Sequence, residues 1–156
     1  LVLKNKIKLN NSLCRYFTNQ YFLPNIQLKL VDQLKKFANT SIDISDGLLS
    51  DLDKMINAQR LSYKINLKSI PISNNLKKIL NHKKLSKINY ISKGDDYQVL
   101  FTASKSKRGI IMKTSVKIGV RITRIGLIQK NIHKSSIVDH NDTVISVKNK
   151  GYLHKF

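Results

Sequence analysis

The sequence predicts one α+β domain, an α/β sandwich in which helices pack on a mixed sheet, and three observations support this fold class. The 156 residues are enough for one domain with its own core, and 41% of them are hydrophobic. Segments with apolar residues at helical spacing are interspersed with short segments typical of strands. No internal repeat divides the chain and no apolar run is long enough to span a bilayer. A mixed order of strands and helices is typical of such layered domains.

The element order can be predicted along the whole chain. Residues 1–23 are expected to be an extended segment that ends at a turn around Pro24. Apolar residues three and four positions apart predict helices over residues 26–37, 45–59, 74–80 and 105–114. Strands are predicted over residues 38–44, 63–67 and 97–102, with one or two more within 117–128 and a hairpin over 135–147. The segment 83–93 fits no element clearly.

Cysteine content and the N-terminal sequence bear on the compartment. Cys14 is the only cysteine, so neither an internal disulfide nor a cysteine-based zinc site is possible within the chain. Residues 1–10 alternate apolar side chains with Lys and Asn and have no cleavage pattern of a signal peptide. A cytoplasmic location without membrane attachment is therefore the expectation.

The net charge is strongly positive, at +20 from 29 basic and 9 acidic residues. Such a charge raises the possibility of nucleic-acid binding. The bases are mostly Lys and are spread from Lys4 to Lys155, and Asn and Ile are also abundant, which is typical of coding bias in an AT-rich genome. Without a recognised basic motif, a nucleic-acid-binding module stays a distant alternative to a solvated surface.

Acidic residues are scarce but clustered. All nine are Asp, and six of them fall in two short stretches: Asp43, Asp46, Asp51, Asp53, Asp95 and Asp96. Carboxylate oxygens are the protein ligands that Mg²⁺ prefers. The clustering therefore indicates a function for these residues.

The first stretch contains the segment 43–47, Asp-Ile-Ser-Asp-Gly, where a predicted strand gives way to a predicted helix. Asp43 and Ser45 would lie at the sheet edge, and Asp46 would lie at the helix N-terminus. Carboxylates there would hold a metal ion, while exposed backbone N–H groups of the helix start would favour an anion such as phosphate. The alternative is that Ser45 or Asp46 only caps the helix and Gly47 only permits the turn.

The second stretch contains the segment 93–97, Lys-Gly-Asp-Asp-Tyr, at the mouth of the strand predicted over 97–102. A glycine followed by two aspartates in this position is typical of a turn in a binding site. The alternative is a polar turn whose Asp side chains bind their own backbone.

Taken together, the two stretches resemble the thiamine-monophosphate kinases. Residues 41–48, followed by Asp-Leu at 51–52, are similar to the family segment Asp-Ile-Ser-Asp-Gly-Leu and its following helix. Residues 93–102 are similar to the family segment Gly-Gly-Glu-Asp-Tyr-Glu-Leu-Leu-Phe-Thr, which comes about fifty residues later. Two motifs in the same order are more specific than either alone.

Further segments extend the resemblance over nearly the whole chain. Residues 65–67 and 70–72 look like the family's Ile-Asp-Leu and Leu-Pro-Leu, and residues 123–128 look like its Thr-x-Ile-Gly-x-Ile strand. Residues 151–156 are similar to its Gly-aromatic-x-His-Phe ending. The family is about twice as long, so the resemblance implies that residues 1–23 are left over from a missing N-terminal domain and that 24–156 form the C-terminal domain. It also implies a fold like that of aminoimidazole ribonucleotide synthetase.

The resemblance implies roles for individual residues. Asp43 and Asp46 match magnesium ligands, and Ser45 matches a residue that contacts ATP. Asp95 stands where the family has a Glu that contacts thiamine phosphate. Tyr152 stands where the family has an aromatic residue against the thiamine, whose cationic ring suits an aromatic face. The implied ligands are ATP, Mg²⁺ and thiamine phosphate, in a homodimer completed by the missing half.

Some positions depart from the family pattern. Asp95 is one methylene shorter than Glu, Lys93 replaces a Gly, and Gln98 replaces an acid. Lys155 is inserted in the closing motif, which contains Tyr152. The alternatives that remain open are another enzyme of the same superfamily and an inactive remnant.

Overall fold

The computed structural model of the chain describes residues 7–57, 59–130, 134–147 and 151. The helices in these ranges are α1 (Asn11–Phe22), α2 (Leu28–Leu34), α3 (Leu48–Asn57), α4 (Asn74–His82), α5 (Ile88–Ile91) and α6 (Arg108–Ile118). The strands are β1 (Thr40–Asp43), β2 (Leu61–Asn66), β3 (Val99–Thr102), β4 (Gly126–Lys130) and β5 (Ser136–Val138). This mixture of helices and strands confirms the predicted α+β class. Within the described ranges, no helix is long and apolar enough to cross a bilayer.

The described strands form two small sheets. β1 and β3 pair antiparallel, with Asp43 opposite Val99. In the second sheet β2 is central: it pairs antiparallel with β4 and parallel with β5, so that Ile65 lies between Gly126 and Ile137. The second sheet is thus mixed, as predicted.

Helix α3 connects the two sheets through the core. It contacts both β1 and β2, and its residues Leu49 and Leu52 are buried. The same apolar cluster contains Ile65 of β2, Ile137 of β5 and Leu100 of β3. Because burial of such side chains is the main source of folding free energy, α3 is fixed firmly, and so is the turn that leads into it.

The prediction of an extended segment over residues 1–23 is wrong for its later part. Residues Asn11–Phe22 form α1, and the side chain of Asn10 accepts a hydrogen bond from the N–H of Leu13 at 2.9 Å. Asn10 is therefore an N-cap, a start signal that the sequence contained. The helix buries none of its residues completely, although apolar residues recur at helical spacing at positions 13, 17 and 21, which was a second helix signal in the sequence.

Of the one or two strands predicted within residues 117–128, only one is present, at the end of that range. Helix α6 continues through Ile118 and stops at Gly119, whose φ of 66° is left-handed. Only β4, from Gly126, is a strand in this stretch. The hairpin predicted over residues 135–147 is present in short form, since Val138 of β5 forms an antiparallel bridge with Val144 across the turn at 139–142.

Two glycines around α6 offer a matched test of backbone conformation. A methyl group added at Gly109 or at Gly119 would meet nothing within 4 Å, but only Gly119 has a positive φ. We expect Gly109→Ala to stabilise the protein by about 0.5 kcal/mol, because alanine restricts the unfolded chain and suits a helix. Gly119→Ala should instead destabilise it by about 1 kcal/mol, because alanine is strained in the left-handed region. Urea unfolding of the two variants checks both signs.

Candidate functional site

The two motif segments lie side by side in the structure. The N–H of Ile44 donates to the carbonyl of Gln98 at 2.9 Å, and the N–H of Tyr97 donates to the carbonyl of Ile44 at 2.8 Å. Beyond them, the N–H of Asp95 donates to the carbonyl of Ser45 at 2.9 Å. The pairing of β1 with β3 therefore continues past both strands and joins the segments 43–47 and 93–97.

Two glycines allow this close approach. A Cβ atom at Gly94 would lie 1.9 Å from the carbonyl oxygen of Ser45. Gly47 has a φ of 124°, and a Cβ atom there would lie 2.9 Å from the carbonyl carbon and oxygen of Ser92. The Ser92 hydroxyl is buried and has no hydrogen-bond partner among the described residues. Backbone thus meets backbone at both crossing points, and side chains larger than hydrogen are excluded there.

The turn between β1 and α3 is held by a carboxylate that the sequence did not identify. The N–H groups of Ser45, Asp46 and Gly47 all donate to Oδ2 of Asp51, at 3.0, 2.9 and 3.1 Å. Asp51 lies in the first turn of α3 and is only 1% exposed. The N–H groups of residues 45–47 are therefore already accepted by a side chain of the protein. The predicted binding of an anion at the start of α3, which begins at Leu48, stays a prediction.

A lysine links this turn to the predicted metal ligand Asp46. Nζ of Lys54 donates to Oδ1 of Asp51 at 2.9 Å and also forms an ion pair with Asp46. The hydrogen bond to Asp46 and, to a smaller extent, the hydrogen bond to Asp51 raise the pKa of Lys54 above its usual value. The Asp46 carboxylate thus already has a cationic partner within the chain.

The predicted metal ligands supply suitable atoms but not a complete site. Asp43 lies exposed at the end of β1, and Asp46 lies in the turn that follows. Among the described residues, no group of three or more His, Cys, Asp or Glu side chains could hold a metal ion. Mg²⁺ is commonly bound by one or two carboxylates together with phosphate oxygens and water. Asp43 and Asp46 fit that ion as part of its ligand set.

The second segment has an unusual backbone and a shifted carboxyl group. Asp95 and Tyr97 both adopt positive φ values, 67° and 49°. Asp96, between them, is exposed at the surface of the chain, but its carboxyl group is partly desolvated. Loss of solvent and, secondarily, the charge of Asp95 raise the pKa of Asp96 to about 6. Strained backbone and a perturbed carboxyl group are typical of functional sites, although sequence reasoning gave Asp96 no role.

A cavity of about 1100 Å³ opens between the two sheets. Asp95 and Asp96 are among its lining residues, together with apolar residues of the core such as Leu52 and Ile65. Asp43, Ser45 and Asp46 are not among them. The cavity is thus near the predicted substrate contact, Asp95, and does not include the predicted metal ligands.

Gly151, the last described residue, lies against the turn between β1 and α3. Gly151 lies so close to α3 that an added Cβ atom would be 2.3 Å from Cβ of Ser50 and 2.9 Å from the carbonyl oxygen of Asp46. The next residue, Tyr152, is the predicted thiamine contact and lies outside the described residues. Its position stays a prediction.

Comparison with known proteins supports the resemblance. No family profile matches the sequence. The chain is 32% identical, over 155 residues, to the thiamine-monophosphate kinase of Buchnera aphidicola subsp. Acyrthosiphon pisum (strain APS). The match covers 99% of this chain but 47% of that relative. The chain therefore spans about half the length of the curated relatives it matches.

Solved structures agree on the fold. The thiamine-monophosphate kinase from Stenotrophomonas maltophilia K279a superposes with a TM-score of 0.72 at 24% identity, over 87% of this chain and 42% of that one. AaThiL complexed with AMPPCP and TMP gives a TM-score of 0.71 at 23% identity, over 97% and 45%. The fold expected from the resemblance is thereby confirmed, and so is the resemblance to one half of these kinases.

The contact between the two segments predicts a strong effect of one methyl group. Gly94→Ala should destabilise the protein by about 2 kcal/mol or more, because the added Cβ atom overlaps the Ser45 carbonyl and both partners are backbone. Gly109→Ala is the control, since it adds the same group to open space. Urea unfolding that gave the two variants equal stability would contradict the close approach.

The raised pKa of Asp96 predicts a pH-dependent stability. Ionisation is easier in the unfolded chain than in the folded one, so the folded state loses stability as the pH rises through about 6. Asp96→Asn should therefore be more stable than wild type at pH 8, and the difference should vanish by about pH 4. Thermal unfolding of the wild type and of Asp96→Asn, measured between about pH 4 and pH 8, gives this difference in stability. Asp32→Asn, which removes a carboxylate at an exposed position on α2, is the matched control.

Proposed function

We propose that this chain, which is similar to one half of the thiamine-monophosphate kinases, is the C-terminal half of such an enzyme and helps transfer the γ-phosphate of ATP to thiamine phosphate. The observation that carries the proposal is the pairing of segments 43–47 and 93–97 through the Asp95–Ser45 hydrogen bond. It brings together the two segments that carry four of the five predicted site residues. The structure of AaThiL complexed with AMPPCP and TMP, which shares this fold, supports the same ligands here.

Each site residue then has a role. Asp43 and Asp46 would hold Mg²⁺, and Ser45 would orient ATP. Asp95, beside the cavity between the sheets, would position the phosphate end of thiamine phosphate. Tyr152 would contact the thiamine ring. It directly follows Gly151, which packs against Ser50 of α3. Mg²⁺, when bound, would supply positive charge to the phosphate oxygens.

Phosphoryl transfer requires little covalent chemistry from the protein. The attacking oxygen belongs to a phosphate group that is already ionised at neutral pH, so a strong general base is not needed. The residues must instead hold the acceptor in line with the γ-phosphate and exclude misaligned arrangements. Fixing two loops against each other by backbone hydrogen bonds suits that task, because small displacements in such a site reduce the rate strongly.

The whole enzyme would need more than this chain. The chain spans about half the length of the relatives it matches, and we expect the other half to supply further ligands of the metal. We therefore expect the isolated chain to lack kinase activity and the full protein to act as a cytoplasmic homodimer. Turnover by the isolated chain at the rate of a complete enzyme would contradict this arrangement.

The decisive assay joins the chain to its upstream half and measures conversion of thiamine phosphate to thiamine diphosphate by ATP, with and without Mg²⁺. Magnesium-dependent product is the expected result. No product from a folded protein would favour an inactive remnant or a sister enzyme that acts on another phosphorylated substrate.

In that protein, Asp43→Asn should reduce activity and raise the Mg²⁺ concentration needed for half-maximal rate by about tenfold or more, because a ligand of the metal is lost. Its thermal stability should stay close to wild type, since Asp43 is exposed. Asp32→Asn removes the same charge from α2 and should leave both quantities unchanged. An unaltered Mg²⁺ requirement in Asp43→Asn would show that the metal role is wrong.

A further inference from the structure

Asp51 is a buried carboxylate to which neither the predicted roles nor the proposed reaction assigns a task. One of its oxygens accepts the N–H groups of Ser45, Asp46 and Gly47, and the other accepts Lys54. Burying a carboxylate to 1% exposure is unfavourable unless hydrogen bonds and an opposite charge compensate it, and here both are present. A buried carboxylate with all of these partners indicates that Asp51 has a specific structural role in the turn.

We propose that Asp51 is a positioning residue: its carboxylate fixes the turn 45–47, so that Ser45 and Asp46 are held ready for ATP and metal. The proposal rests on the proposed kinase function for its second part. Its first part, the fixed turn, stands on the hydrogen bonds alone.

The geometry explains why a carboxylate is needed at this position. Three N–H groups in succession point at one oxygen, and an ionised acceptor binds such donors more strongly than a neutral one. These donors belong to the turn and precede α3, which begins at Leu48. With Asp51 in place, the turn 45–47 can contact a ligand only through its side chains and carbonyl oxygens.

The position of the turn also sets the position of the second segment. The carbonyl of Ser45 accepts the N–H of Asp95, and Gly94 packs on that same carbonyl. Asp51 therefore acts on Ser45 and Asp46 directly and on Asp95 only through Ser45. This order predicts that loss of Asp51 affects ATP and metal more than thiamine phosphate.

Amide hydrogen exchange on this 156-residue chain tests the fixed turn. In Asp51→Asn, exchange at Ser45, Asp46 and Gly47 should accelerate by about tenfold or more, because hydrogen bonds to a charged acceptor are lost. Exchange in the core, at Leu52 and Ile65, should not change. Wild-type rates at the turn in this variant, or equal acceleration throughout the core, would overturn the proposal.

Two further measurements keep the test decisive if Asp51→Asn does not fold. In the wild-type chain, scalar couplings across the hydrogen bonds should connect the amide nitrogens of residues 45–47 to the carboxyl carbon of Asp51, and their absence would overturn the proposal. Lys54→Met, which removes the ion pair but leaves the carboxylate, should keep the turn protected. Exposure of the turn in Lys54→Met would show that the lysine, not the carboxylate, holds it.

Kinetics of the full protein test the functional part. Asp51→Asn should raise the KM for ATP and the Mg²⁺ requirement by about tenfold, with less than about threefold change in the KM for thiamine phosphate. A uniform fall in kcat with unchanged KM values would contradict positioning of Ser45 and Asp46. If the wild-type protein makes no thiamine diphosphate, the proposed function fails, while the exchange and coupling results still decide whether Asp51 fixes the turn.

Discussion

The turn between β1 and α3 is the feature on which the rest of the site depends, and one buried carboxylate holds it. Asp51 can reach back to three consecutive N–H groups because it lies in the first turn of α3, and α3 is itself fixed by apolar packing against both sheets. The position of Ser45 therefore follows from the core. The second segment follows from Ser45 in turn, through the hydrogen bond of Asp95 and the close contact of Gly94. The core thus fixes the turn, and the turn fixes both segments of the site.

The elements around the site could be predicted from the sequence because their local patterns agree with their tertiary environment. The apolar positions of α3, β1 and β3 face the core, so periodicity located all three within a few residues. The task of Asp51 could not be predicted, because an aspartate in a first helical turn is normally an exposed residue that favours the helix dipole. Its burial depends on packing, which periodicity does not report. Helix α1 was missed although the sequence signalled it twice, by the N-cap Asn10 and by the four-residue spacing of Leu13, Phe17 and Tyr21.

The carboxylates of this chain lie in the electrostatic field of a strongly positive protein. With 29 basic residues and 9 acidic ones, the protein presents a positive field that attracts phosphate esters of any kind. Such a field does not discriminate between ligands, and it opposes the binding of a metal ion. Local carboxylates must therefore create the cation site against the field of the whole protein. The ion pair of Lys54 with Asp46 shows this competition directly, because a resident ammonium group occupies an oxygen donor that Mg²⁺ would also use.

This competition bears on the order in which ligands would bind to the proposed site. An ammonium group at 50% exposure can move into solvent at little cost, so Lys54 need not block a divalent ion. A metal ion that arrives together with the phosphates of ATP brings extra oxygen ligands, and the complex as a whole carries a net negative charge. It therefore meets less opposition from the positive field than the free ion does. In a protein of this charge, entry of Mg²⁺ as the complex with ATP is physically favoured over binding of the metal first. Asp51 suits that order, because it keeps the turn in place whether or not the metal is present.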